Sequence, residues 1–195
     1  INQAFESDSS YYKLCDKHNI PPNKILVFYP SYYRYFKNQQ ALLDASKLAL
    51  SEKSLKNHHF ILTIDIDDLK YNERKKDKIR NQENISLIGK ISREMVETFY
   101  KKVDILVFPS KLESWGLPLS EFSRYNKPII CSDLPYAKEV LSSYKKVKYF
   151  HPDRPSEIIS LLKSTFNSSK PSSFKIKKNN FPLYDGWGNF HKIFE

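Results

Sequence analysis

The chain has 195 residues, 40% of them hydrophobic, which is enough to close a core without disulfides or metals and sets it apart from disordered segments. Its two cysteines, Cys15 and Cys131, lie far apart with no metal-ligand partner at the usual spacing, so neither a disulfide scaffold nor a zinc module fits. No apolar run approaches the roughly 20 residues of a membrane-spanning helix, and the net charge of +10 asks for an anionic partner or a well-solvated surface.

The first residue is Ile rather than Met, so a fragment of a longer polypeptide is expected, and no signal peptide opens it. Residues 1–22 are polar, with serines at 7, 9 and 10 and then Pro21-Pro22, and they read as an interdomain linker. Residues 23–180 read as one domain. The apolar run 24–29 predicts a buried strand, and helical spacing of leucines predicts a helix over 39–50 after Asn38. His58-His59 is expected as an exposed pair ahead of a second strand at 60–64. Asp65-Ile66-Asp67 then reads as a loop feature rather than a metal site, and the charged stretch 68–81 as helix or loop.

A third strand is predicted at 85–88, closed by Gly89. Ser92, with Glu94 and Met95 after it, marks a helix start running to about Lys101. The segment 104–108 is almost wholly apolar, as a strand covered on both faces should be, and Pro109 stops it. A helix over 117–125, a strand over 128–131 ending in a buried reduced Cys131, a helix over 135–142, a strand over 147–150 and a helix over 155–166 follow. Strands alternating with helices predict an α/β fold, a Rossmann-like doubly wound parallel sheet with helices on both faces. Residues 167–180 read as a loop. The aromatic tail 181–195 is expected to form a last helix packing back on a domain that precedes this chain.

In such a sheet, ligands bind beyond the carboxyl ends of the strands. Residues 109–118 lie there, after the most apolar strand. Gly116 permits close backbone approach, Pro118 suits an early helical position, and the N–H groups of Gly116 and Leu117 open toward an anion. Glu113 and Glu121 bracket this turn. Carboxylates accept hydrogen bonds from sugar hydroxyls, so two of them across a phosphate loop can grip two hydroxylated rings on either side of a diphosphate. The bland alternatives are a surface acid at Glu113 and an acid in the first helical turn at Glu121.

The string Phe108-Pro109-Ser110, Glu113, Trp115-Gly116-Leu117-Pro118 and Glu121 resembles the signature of the family 4 glycosyltransferases of the GT-B fold. That signature is Glu-x7-Glu within Phe-Pro-Ser … Glu-x-Phe/Trp-Gly-Leu-Pro-x-x-Glu, and the likeness extends over about residues 22–195. It implies the C-terminal, nucleotide-sugar-binding half of a two-domain enzyme. Carried to matching positions, it implies that Glu113 meets the transferred sugar near its 3- and 4-hydroxyls and that Glu121 holds the ribose. Gly116 and Leu117, with Pro118 behind them, face the diphosphate. Gly89, Ile91 and Ser92 belong to the base-recognition segment. Lys37, followed by Asn38, matches the family's leaving-group lysine. The family's arginine, six positions earlier, is Ser31 here, and Arg34 is the candidate replacement.

The implied activity is retaining and metal-independent, with no cofactor. A sugar passes from a nucleoside-diphosphate sugar, UDP-hexose or UDP-N-acetylhexosamine first and a GDP-sugar second, to a lipid-diphosphate-linked saccharide. Bacterial O-antigen or capsule synthesis is the expected setting, at the inner face of the cytoplasmic membrane. The expected partners are the enzyme's own N-terminal domain, which completes the active site, and an anionic membrane surface in keeping with the basic clusters Arg74-Lys75-Lys76, Lys145-Lys146-Val147-Lys148 and Lys175-Ile176-Lys177-Lys178. No recognised nucleic-acid motif accompanies the charge, so nucleic acid is not an expected partner. The alternative reading is a catalytically idle GT-B-like nucleotide-binding or interaction module.

Overall fold

A computed structural model describes the backbone of residues 2–166 and the side chains from residue 8 onward. The expected loop at 167–180 and aromatic helix at 181–195 lie outside the described residues.

Six strands form one sheet: β1 (Ile25–Tyr29), β2 (His58–Leu62), β3 (Ile85–Leu87), β4 (Ile105–Phe108), β5 (Ile129–Ser132) and β6 (Val147–Phe150). Their order is β3-β2-β1-β4-β5-β6, and every neighbouring pair is parallel. This is the doubly wound arrangement that the alternation of strands and helices predicts. Every residue of β1, β2, β4 and β5 is buried, while the edge strands β3 and β6 are only partly so. A strand covered by helices on both faces has no polar side to show, which is why these segments read as continuous apolar runs.

The helices are α1 (Asn2–Lys17), α2 (Gln39–Leu50), α3 (Glu73–Arg80), α4 (Arg93–Lys102), α5 (Leu117–Ser123), α6 (Pro135–Val140) and α7 (Ser156–Thr165). Among these, α2 packs with α7, and α1 with α4. Right-handed crossovers put α2 on one face and α4 on the other, because the chain crosses the sheet one way from β1 to β3 and back the other way from β3 to β6; α7 and α1, which are not crossovers, join them there. Helix α2 has the bounds that leucine spacing predicts. Ser92 caps α4, its hydroxyl accepting from the N–H of Met95 at 3.2 Å.

At the far end of α4, the buried ammonium of Lys127 donates to the carbonyls of Tyr100, Lys101 and Val103 at 2.9, 2.7 and 2.7 Å. It thereby satisfies carbonyls that a helix end leaves without partners. Helix α4 is thus anchored at both ends.

Three features go beyond or depart from the sequence reading. First, residues 1–22, read as an interdomain linker, are for the most part helical: they form α1, which buries Tyr11 and Cys15. Tyr11 stands edge-on to Phe99 of α4 with ring centroids 5.0 Å apart, and Phe99 in turn stacks on Phe28 of β1 at 4.9 Å. One face of a polar segment suffices for a helix to dock, and polarity averaged over the segment hides it. Secondly, His58-His59 is not exposed. The pair begins β2, in register with Ile25 and Leu26, and both imidazoles are buried. Burial lowers the pKa of each to about 4. Thirdly, Glu121 lies in the second turn of α5, because Gly116 is the N-cap and no acid occupies the first turn. Cys131 is a buried free thiol, as expected, and burial raises its pKa.

Candidate functional site

The strand order reverses between β1 and β4. Connections from these two neighbours leave toward opposite edges of the sheet, and the crevice between them is where an open α/β sheet receives ligands. The loops following β1 and β4 carry the candidate residues, and three ties bind those loops together. The amide of Lys111 donates to the carbonyl of Phe36 at 2.7 Å. The side-chain amide of Asn38 donates to the carbonyls of Pro109 at 3.2 Å and Pro152 at 3.0 Å, linking the ends of β1, β4 and β6. The third tie is an ion pair: Lys37 Nζ lies 2.6 Å from Glu113 Oε1 and 2.7 Å from Oε2.

Local chemistry sets both partners of that pair. Residues Tyr35–Lys37 form a 3-10 turn, closed by Asn38 in the left-handed region at φ +54. Asparagine tolerates that region better than most residues. The hydroxyl of Tyr29, at the buried end of β1, donates to the carbonyl of Lys37 at 2.8 Å and fixes the lysine from behind. Burial also raises the pKa of this phenol well above its ordinary value, so it remains a donor. Beneath Glu113, the buried Ser110 donates to the carbonyl of Leu112 at 3.1 Å, and Tyr136 of α6 donates to the carbonyl of Ser110 at 2.7 Å. The side chains of Lys37 and Glu113 are 19% and 9% exposed. At that depth, a pair in contact is weakly screened by solvent.

Gly116 follows at φ +81, a conformation that disfavours any residue with a Cβ. A Cβ there would also lie 3.2–3.3 Å from the ring of Tyr136. Both the turn and its packing therefore require glycine. Leu117 is the first residue of α5 and Pro118, which has no N–H, sits in its opening turn. The N–H of Leu119 already donates to the carbonyl of Gly116 at 2.9 Å, so in this turn it is the N–H of Leu117 that a helix start leaves without an intrahelical partner.

Glu121 stands one turn further along. Its Oε1 accepts from Arg93 Nη2 at 2.9 Å, and its Oε2 from the hydroxyl of Tyr100 at 3.3 Å. Arg93 opens α4 immediately after the segment Gly89 to Ser92. This ion pair joins that segment to the α5 side of the crevice. Gly89 takes φ +70, and its N–H donates to the carbonyl of Ile64 at 3.0 Å. Ile91 packs against the core, while the hydroxyl of Ser92 is engaged as the α4 cap.

The structure thus brings Lys37, Glu113, Gly116, Leu117 and Pro118 into one cluster, and links Glu121 to the segment 89–92. It does not bring Ser31 and Arg34 onto the ion pair. The amide of Ser31 donates to Thr63 Oγ1 at 2.8 Å, and its hydroxyl accepts from Gln39 at 3.0 Å. Arg34 is exposed and turns back onto the carbonyl of Tyr33 at 2.9 Å. Sequence reasoning missed Arg93 and Tyr100. Their spacing of seven places both on one face of α4, but only the packing of α4 beside α5 shows that Glu121 lies there. Asp65 accepts from the N–H of Asp67 at 3.0 Å and caps a short 3-10 turn, so this carboxylate has a structural role.

The model for the family described as "Glycosyl transferases group 1" matches residues 13–180. The serotype-specific mannosyltransferase WbdA of Escherichia coli is 35% identical over 68 residues, covering 35% of this chain and 8% of that protein. The O-antigen chain mannosyltransferase RfbU of Salmonella typhimurium is 30% identical over 83 residues, 43% of this chain and 23% of that protein. An uncharacterized 41.2 kDa protein in the cps region of Klebsiella pneumoniae is 21% identical over 187 residues, 94% of this chain. The chain spans no more than 49% of these relatives' lengths. In fold, it is similar to the C-terminal domain of a glycosyl transferase group 1 family protein (LpcC) from Francisella tularensis. The TM-score is 0.62 at 18% identity, covering 78% of this chain and 80% of that one.

Proposed function

The chain belongs to the glycosyl transferases group 1 family, and from that premise we propose that it is the donor-binding part of a retaining, metal-independent glycosyltransferase. The donor is a nucleoside-diphosphate hexose or N-acetylhexosamine, with UDP as the first candidate nucleotide and GDP as the second. Mannose is the sugar carried in the names of the Escherichia coli and Salmonella relatives. The acceptor is a lipid-linked saccharide of a bacterial surface polysaccharide, presented by a second domain of the longer protein. Among the described residues no helix is long and apolar enough to cross a membrane. Attachment to the inner face of the cytoplasmic membrane then rests on basic surface.

The observation that carries this reading is the Lys37–Glu113 pair beside the Gly116 turn, in the crevice where the sheet order reverses. Donor binding exchanges the partners of that pair. Lys37 passes to the diphosphate and Glu113 to the sugar hydroxyls. Charge grows on the diphosphate as the sugar departs, and Lys37 with the open N–H groups of Gly116 and Leu117 stabilises it there. Attack by the acceptor hydroxyl comes from the face that the diphosphate leaves. Arg34, three residues before Lys37, adds a second cation when its side chain leaves the Tyr33 carbonyl. Glu121 holds the ribose, and residues 89–92 meet the base.

Calorimetry with UDP, GDP and their hexose forms tests the assignment. Glu113→Ala removes the affinity difference between nucleotide sugar and free nucleotide, while Glu121→Ala weakens both. Equal and negligible effects of the two substitutions would sink the assignment. Failure of every nucleotide to bind the unaltered chain would favour an idle module instead.

A further inference from the structure

The two contacts on Glu121 differ in kind. Arg93 is a long side chain held in water, 81% exposed, facing a carboxylate that is 22% exposed. Exposed ion pairs of this sort contribute little, because solvent screens them and ordering both side chains opposes them. Tyr100 is the reverse case. Its side chain is buried, and its ring is fixed between Phe28, Phe122 and Tyr125, with centroids 6.0, 5.4 and 6.0 Å away. Lys127 anchors the end of α4 that carries it. Burial and the neighbouring Glu121 raise its pKa well above the ordinary phenol range, so the hydroxyl stays protonated and can only donate to the carboxylate.

A carboxylate has about four acceptor positions. Tyr100 takes one on Oε2 and Arg93 one on Oε1, so a pair of vicinal hydroxyls that engages both oxygens competes with Arg93 for Oε1 and leaves Tyr100 in place. The 3.3 Å separation from Tyr100 is long for an O–H donor on a carboxylate. Release of Arg93 leaves Glu121 free to settle on it.

We propose that Tyr100 is a positioning residue that orients Glu121 for the ribose hydroxyls of the nucleotide, and that Arg93 is a displaceable partner which the ribose replaces. The inference rests on the reading that Glu121 receives the ribose. It adds a fixed arm and a yielding arm, both from α4, to the acid that the sequence motif marks. Because α4 begins directly after residues 89–92, one helix sets the distance between the base segment and the ribose-binding carboxylate.

The test is calorimetry on the 195-residue chain with UDP and GDP, each set against its 2′,3′-dideoxy counterpart, read as the ratio of the two affinities. The unaltered chain favours the ribonucleotide by about 10- to 100-fold, the range for hydrogen bonds to a charged group. Tyr100→Phe lowers that ratio by about 3- to 10-fold and leaves dideoxynucleotide affinity where it was. Arg93→Ala raises the ratio by up to about fivefold, since an exposed competitor is gone.

An unchanged ratio in Tyr100→Phe overturns the proposal. So does an equal loss for ribo- and dideoxynucleotide, which marks a general structural role. A lower ratio in Arg93→Ala overturns the displaceable role. Glu121→Gln separates the proposal from its premise: if that substitution leaves the ratio intact, the ribose assignment itself fails. Absence of binding by either nucleotide overturns both.

Discussion

Lys37 and Glu113 stand 76 positions apart in the chain, yet the ammonium of one touches both carboxylate oxygens of the other, at 2.6 and 2.7 Å. The cation proposed for the diphosphate and the anion proposed for the sugar thus neutralise each other. A ligand that engages both would have to supply new partners for both at once, as a diphosphate joined to a sugar would in a single molecule.

The pair predicts a non-additive stability cycle. Removing one member leaves the other charge mostly buried and alone, whereas removing both leaves none. Lys37→Ala and Glu113→Ala should each cost roughly 2–3 kcal/mol, somewhat below the 3–5 kcal/mol typical of breaking a fully buried pair. The double substitution should cost clearly less than their sum. Denaturant unfolding of the four proteins checks this, and strict additivity would show that the contact does not couple the two residues.

Gly116 predicts a conformational requirement. Gly116→Ala adds a Cβ at φ +81 and presses it against the Tyr136 ring at 3.2–3.3 Å. A loss of roughly 1–3 kcal/mol is expected, the size of a residue held in a sparsely populated backbone region. Adding Tyr136→Ala relieves the contact but leaves the backbone strain, so it recovers only part of the loss beyond its own cavity cost. Melting temperatures of the single and double variants provide the measurement.

His58 and His59 predict acid sensitivity, and its sign is determined. Burial lowers both pKa values from 6.5 to about 4. Between those values the unfolded chain binds more protons than the folded one, so stability falls as pH drops from about 6.5 toward 4. Among the described residues neither ring nitrogen of His58 has a partner at ordinary hydrogen-bond distance, and only the Leu55 backbone opposes the effect of burial, while His59 Nε2 lies 2.8 Å from Ser86 Oγ. His58→Leu therefore removes a poorly satisfied buried polar group. It should be neutral or stabilising at pH 7.5 and should reduce the loss at pH 5 by about 1 kcal/mol or more. Denaturant midpoints at the two pH values check it; an unchanged pH dependence would show that His58 does not contribute.

Much of the architecture was legible in the sequence because it is written in short-range terms. Apolar runs of four to six residues, helical leucine spacing over Gln39–Leu50, Ser92 ahead of α4 and Gly116 ahead of α5 each act within a few positions. Their alternation leads to a doubly wound sheet, since parallel strands need crossovers and those crossovers are right-handed. The same local signals failed at the edges. Averaged polarity concealed the buried face of α1, and two adjacent histidines looked too polar to begin an interior strand.

By itself, then, the sequence determined the order of strands and helices, the glycine turn after β4 and the two acids that flank it. Only the tertiary structure decided which charges meet. Bringing β1 beside β4 sets Lys37 against Glu113, and packing α4 beside α5 sets Arg93 and Tyr100 against Glu121. The physical reason is range. Backbone conformation answers to near neighbours, whereas an ion pair depends on distances through space that chain separation does not encode until the sheet is ordered.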